Sequence, residues 1–504
     1  MFPRRKRRAD RVAVRAGMVG LLVLAAGCGT DRDGSETALD EFYQQRVAWG
    51  SCAEFAGAQE LTAAGMQCAR IEVPIDYDRP GGDRARIALS RLAARGERVD
   101  SLVLQPGGPG QPGLDMPLLF EKAGLAERFD LIGIDVRGLG ASTPTVECRT
   151  PEEARAERDQ DDFDYTPAGI ARTEQRRQEL VARCVQRTGI ELLAHVGTRE
   201  VVRDLDIVRA ALGGEKLSLY GGSYGSRVGS AYAETYPHRV RAMVLDAAVS
   251  MRTNLLDTVR ASQSSQRAFD AYAADCTTAP TCPLGTDPAQ ATAALRALVN
   301  PLTEHPARTA DPRGLSYRNA LGAVVNSLYH PSMWPGLTHG LTELSQGRGD
   351  ALLALTDSFE TDLVDRDLQQ AVLCLDERRV TDRAEAADID HRRRLAAPFT
   401  DDGRATGAAA LDVCAFWPVP PTWQPHVPQV SGLPPVVVVA ATGDPVAPYD
   451  GAVTLAEDLN ANLITYESPA HGGFGFGVPC IDEPVVRYLI ELTPPAENLR
   501  CPAA

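Results

Sequence analysis

The sequence predicts an α/β fold: a mostly parallel sheet with helices on both faces and a large helical insertion. Three observations carry that expectation. Short apolar runs bounded by Gly, Pro and Asp recur along the chain, helix-like segments separate several of them, and the alternation lapses near Val249 to resume at Pro434. At 504 residues and 44% hydrophobic content, the chain is long enough for one large core plus such an insertion.

The apolar runs are Ala69–Ile75, Ile87–Leu92, Ser101–Leu104, Leu131–Ile134, Leu217–Tyr220, Ala242–Leu245, Val436–Ala440 and Asn462–Tyr466. Each has the length of a strand rather than a helix. The clearest helix runs from Thr198 to Leu212, where Val201, Val202, Leu205, Val208 and Leu212 recur at helical spacing. Thr198 is expected to cap it and Gly213-Gly214 to stop it. The expected organisation is a leader at 1–27, a tether at 28–50, a core in two parts at 51–250 and 431–504, and a helical cap at 251–430. The cap would lie over the C-terminal ends of the strands, where open α/β sheets bind ligands.

Leu217-Ser218-Leu219-Tyr220-Gly221-Gly222-Ser223-Tyr224-Gly225 is a strand running into Gly-x-Ser-x-Gly, with helix-like residues 227–235 behind it. A serine on a tight strand-to-helix turn has a strained backbone and needs small neighbours, which Gly221 and Gly225 supply. The pentapeptide alone is a weak signal. A second loop, Gln105-Pro106-Gly107-Gly108-Pro109-Gly110, also follows a strand. A developing oxyanion needs two N–H donors. One belongs to Tyr224, the residue after the serine; the other belongs to this loop, where Pro109 has no N–H and Gly108 is the candidate, with Gly110 behind it.

A base and its orienting acid must then follow in the order Ser, Asp or Glu, His. Asp444 sits in Gly443-Asp444-Pro445, just past the run Val436–Ala440, and His471 follows the next strand. Of eight histidines, His471 alone comes after Asp444. In these roles His471 takes the Ser223 proton and returns it to the leaving group, while Asp444 fixes the imidazole tautomer. Four features at four strand ends weigh far more than one motif.

The N-terminus indicates export. Seven basic residues against Asp10 give the first 27 residues a balance of +6 within a formal −15, leaving −21 on the rest. So acidic a body would repel phosphate backbones, which excludes nucleic acid as the expected partner. Ala16 to Gly27 is uncharged and suits a signal peptide, being too short to span a bilayer. Leu24-Ala25-Ala26-Gly27-Cys28 resembles a bacterial lipobox with Cys28 as the lipidated residue. The expected location is therefore the outer face of the bacterial cell membrane, lipid-anchored or released from it. Ten further cysteines suit disulfides in an oxidising compartment, with consecutive pairing the simplest of many connectivities. No CxxC occurs and no histidines cluster with the cysteines, so no metal or organic cofactor is implied.

Together these residues resemble the α/β-hydrolase serine aminopeptidases of the prolyl iminopeptidase and tripeptidyl aminopeptidase type. The resemblance rests on Pro106–Gly110, on Asp135-Val136-Arg137-Gly138-Leu139-Gly140-Ala141-Ser142, on Gly221–Gly225 and on Gly443-Asp444-Pro445, and spans about residues 69 to 480. Cys374-Leu375-Asp376 and the segment at 414–418 are similar to the secreted tripeptidyl branch, as is Gln105-Pro106, where shorter members carry His. The family implies an α/β-hydrolase fold and release of short peptides, tripeptides foremost, from free N-termini. It also implies carboxylates that neutralise the substrate ammonium, with Asp376 and Glu377 as candidates. Asp135 and Arg137 are expected to fix loops rather than to react. An esterase or amidase on the same triad is the alternative. A non-catalytic surface-binding lipoprotein is a third reading, opposed by the intact Ser223, Asp444 and His471.

Overall fold

Nine strands form a single sheet in the computed structural model, which describes residues 39–158, 163–254, 258–359 and 365–503. They are β1 (Gln67–Pro74), β2 (Arg84–Leu92), β3 (Asp100–Gln105), β4 (Phe129–Asp135), β5 (Leu217–Gly222), β6 (Val240–Asp246), β7 (Val437–Ala441), β8 (Asn462–Glu467) and β9 (Leu499–Pro502). Their order is β1-β2-β4-β3-β5-β6-β7-β8-β9. The β1–β2 and β2–β4 pairs are antiparallel and all others parallel. Each of the eight predicted runs coincides with a strand to within one residue, Ile75 and Val436 lying just outside β1 and β7; β9 has no counterpart among them.

The central parallel strands, β3 to β7 in the sheet, are buried on both faces, which is why they are written as nearly unbroken apolar runs. Every residue of β4 and of β7 is buried. Alternate residues feed two separate cores, as the period of two requires. On one face Val103, Ile132 and Leu219 pack with Val201, Leu205 and Val208 of the predicted helix, observed as Thr198–Ala211. On the other, Leu102, Leu104 and Val437 pack with Phe120, Val485 and Leu489.

Between β6 and β7 the described residues form helices at Thr258–Cys276, Ala291–Val299, Tyr317–Ser327, Trp334–Ser345, Asp350–Phe359, Asp365–Asp376 and Arg383–Ala396. Phe269, Leu295, Leu337, Leu352 and Phe399 give this insertion its own core. Its later part behaves differently. Leu368, Val372, Leu375, Val413 and Trp417 join the core of the sheet itself. The helix Asp365–Asp376 thus belongs to the insertion by sequence and to the sheet by packing.

Five disulfides join consecutive cysteines: Cys52–Cys68, Cys148–Cys184, Cys276–Cys282, Cys374–Cys414 and Cys480–Cys501. Cys28 lies outside the described residues. Among those residues no helix is long and apolar enough to cross a membrane.

One local expectation is corrected. Thr198 does not cap its own helix: it is the first helical residue, and no side chain of the preceding Gly197 supplies a cap. Its N–H donates instead to Asp376, brought from 178 residues away. The Gly pair does end the helix, with Gly213 at φ 83° and the Gly214 N–H donating to the Arg209 carbonyl.

Candidate active site

Ser223 stands between the end of β5 and the helix Tyr224–Thr235, at φ 54° and ψ −119°. That left-handed backbone is costly for a residue with a Cβ and persists only where its surroundings over-determine it. The surroundings are visible. The Ser223 N–H donates to the Asp246 carbonyl at 2.8 Å, and a Cβ on Gly221 would overlap the Gly225 carbonyl across the turn. A Cβ on Gly225 would strike the carbonyls of Gln105 and Pro106, so the glycine-rich loop after β3 packs directly on the first turn of the helix.

That loop lies against the serine. A Cβ on Gly107 would come within 2.8 Å of the Ser223 Cβ. Gly107 is therefore the residue pressed against Ser223, one place before the Gly108 chosen from the absence of an N–H on Pro109; both line the same cleft. Tyr224 begins its helix, so its N–H is among the four without an intrahelical acceptor.

Asp444 follows β7 and His471 follows β8. The buried Asp444 faces the His471 Nδ1 with both oxygens, at 2.9 and 3.0 Å, which leaves Nε2 as the nitrogen able to take a proton. Asp444 Oδ1 also accepts the N–H groups of Val446 and Ala447, which fixes the carboxylate plane. Burial pulls the imidazole toward neutrality, but the Asp444 charge and hydrogen bond, with Asp246 beyond, raise its pKa above the usual 6.5.

Sequence reasoning missed two contributors. Asp246, at the end of β6, is 1% exposed and accepts from the N–H groups of Gly473 and Phe474 and from the Tyr220 hydroxyl. Its carbonyl holds Ser223 and its carboxylate holds the loop after His471, so one residue spaces both. Tyr329, from the insertion, is the second. Its carbonyl accepts the His471 N–H at 2.8 Å, and its ring meets the imidazole edge-on at 5.3 Å between centroids.

Ser223 and His471 share the wall of a cleft of about 840 Å³ with Gly107, Gly108, Tyr329 and Val446. Asp376 and Glu377 are not in that wall. Asp376 is buried and accepts from the N–H and hydroxyl of Thr198. The reason is packing: its helix enters the core of the sheet through Leu368, Val372 and Leu375, and both carboxylate oxygens are held by Thr198. Asp135 and Arg137 do fix loops. Asp135 accepts from Gly113 and Ala141, and Arg137 donates to Asp204 and to three backbone carbonyls.

The family model described as the alpha/beta hydrolase fold matches residues 100–478. The chain belongs to that family. Among relatives, it is 42% identical to the serine protease Hip1 of Mycobacterium tuberculosis, over 99% of each chain. It is 42% identical to carboxylesterase B of the same organism, over 90% of this chain and 89% of that one. Identity to the tripeptidyl aminopeptidase of Streptomyces lividans is 29%, over 90% of this chain and 86% of the relative. In this family the nucleophile turn follows a central strand and the acid and base follow later strands. Ser223, Asp444 and His471 occupy those places.

Proposed function

We propose that this α/β hydrolase is an exported serine peptidase that releases short peptides, tripeptides foremost, from free N-termini. One observation carries the reading: a strained serine and an aspartate-paired histidine share a cleft walled by a glycine-rich loop. Ser223 attacks the acyl carbon while His471 Nε2 accepts its proton. The N–H groups of Tyr224 and Gly108 face the oxyanion; losing such a donor costs about 2.7–4 kcal/mol of transition-state stabilisation. His471 then protonates the leaving amine, and water, activated by the same imidazole, hydrolyses the acyl-enzyme. The full-length similarity to a serine protease and the similarity to a tripeptidyl aminopeptidase support a peptide as substrate. The lipobox-like segment ending at Cys28 supports export and a lipid anchor on the outer face of the membrane.

An esterase is the second reading, and the cleft itself favours it. Among the described lining residues the one carboxylate is Asp246, whose oxygens are already taken by Ala247, Gly473, Phe474 and Tyr220. Lys122 and Arg366 line the same cleft with Leu119, Phe359 and Phe476. The test is hydrolysis of a tripeptidyl p-nitroanilide, free or blocked at its N-terminus, beside a short-chain p-nitrophenyl ester. The peptidase reading expects turnover of the free tripeptide and loss on blocking. Ester turnover with neither peptide cleaved would contradict it.

A further inference from the structure

We propose that Asp376 is a positioning residue for the oxyanion site, acting through Thr198 on Tyr224. This rests on Ser223 being the nucleophile, but not on which acyl group it attacks.

The chain of contacts is short and buried. Asp376 ends the helix Asp365–Asp376 and is 2% exposed. Its two oxygens accept the Thr198 N–H at 3.1 and 3.2 Å, and one accepts the Thr198 hydroxyl at 2.5 Å. The same hydroxyl oxygen lies 2.8 Å from the Tyr224 phenol oxygen. When Asp376 is ionised the Thr198 hydrogen is committed to the carboxylate, so the Thr198 oxygen is the acceptor and the phenol the donor. Tyr224 is the residue after Ser223, and its ring is fully buried. A relay of three residues therefore runs from the insertion to the residue whose backbone N–H faces the oxyanion.

The relay is held from behind. A Cβ on Gly197 would come within 2.9 Å of Asp376 Oδ1, so the chain closes tightly on the carboxylate. The Leu375 carbonyl accepts the N–H groups of Thr422 and Trp423, and the neighbouring Cys374 is bonded to Cys414. Arg227 of the nucleophile helix and Glu200 beside Thr198 are the charged groups acting on Asp376. Burial lifts its pKa to about 7, against the Thr198 hydrogen bonds and the Arg227 charge. An acid so placed weakens the fold as pH rises from about 4 to 7, since the native state then holds a proton that the unfolded state has lost. It touches nothing in the cleft. What it does touch is the pair that sets the angle of Tyr224, and displacing an oxyanion donor by a fraction of an ångström is costly.

The test compares Tyr224→Phe, Thr198→Val and Asp376→Asn with wild type in the full-length protein. Three readouts are taken: the rate of covalent capture by a fluorophosphonate, kcat and KM on whichever substrate the enzyme turns over, and Tm. The relay predicts that capture and kcat each fall about tenfold in every variant while KM stays within about twofold. It also predicts that Thr198→Val combined with Tyr224→Phe loses no more than the worse single variant, because both cut one chain. Tyr224→Phe removes one hydroxyl and keeps the ring, so it decides the matter if Asp376→Asn does not fold. Capture and kcat within twofold of wild type in Tyr224→Phe would overturn the relay, whatever the change in Tm. So would a raised KM with unchanged kcat in Asp376→Asn, which would return Asp376 to substrate binding. Wild type that resists the probe altogether would refute the nucleophile itself. Failure to cleave peptides alone touches only the acyl preference.

Discussion

Burial and charge oppose each other at His471, and charge wins: its imidazole holds a proton above the usual 6.5 because Asp444 faces Nδ1 and Asp246 lies beyond. A general base must be neutral, so the acid limb of kcat/KM is expected to have its midpoint above 6.5. A profile falling only below pH 6 would contradict this. The sign for stability is opposite: the contribution of a raised histidine is fully present below the unfolded value and is lost as pH rises through the folded one. Asp444→Asn keeps the shape but presents the wrong tautomer, and kcat should fall about 10⁴-fold with the Tm nearly unchanged. Asp444 and His471 were legible because chain order alone left no other histidine. Asp246 was not, since it follows an apolar run without any motif and its partners Gly473 and Phe474 lie more than 220 residues on. Asp376 was legible only through the family resemblance, as a candidate partner for the substrate ammonium; its burial against Thr198 is a tertiary fact.

The decisive elements are the strand-to-helix turn at Ser223 and the loop that packs on it. Gly225 lies against the Gln105 and Pro106 carbonyls, and nothing there is a flexible side chain that can yield. Gly225→Ala should therefore push the loop from the serine, cutting kcat at least about 100-fold, as misplacement of reacting groups typically does. Steady-state kinetics on soluble, folded protein checks this; a loss below threefold would mean that the loop does not form the hole. Eight strands were legible, the central ones because two-sided burial writes them as apolar runs and β1 and β2 because their buried residues alternate with charged ones. Strand β9 was not: Leu499–Pro502 is short and contains proline, and its pairing with β8 is supported by the Cys480–Cys501 bond. The cap of the helix at Thr198 was misread for a related reason, because the acceptor comes from a distant helix rather than from a neighbour in sequence.

For the molecule as a whole, five disulfides between consecutive cysteines staple segments that are already close in sequence. Each should contribute about 2–4 kcal/mol, with less from short loops. Paired serine substitutions at Cys374 and Cys414, which close a 40-residue separation, should lower Tm more than those at Cys276 and Cys282, separated by 6. Thermal melts of the two variants decide the order. Everything at the site turns on Ser223 forming the acyl-enzyme. The most direct test is peptide mapping by mass spectrometry after fluorophosphonate treatment of wild type and Ser223→Ala. One adduct is expected, on Ser223, absent from the variant and slowed in Asp444→Asn. An adduct on another residue, or equal labelling of Ser223→Ala, would contradict it.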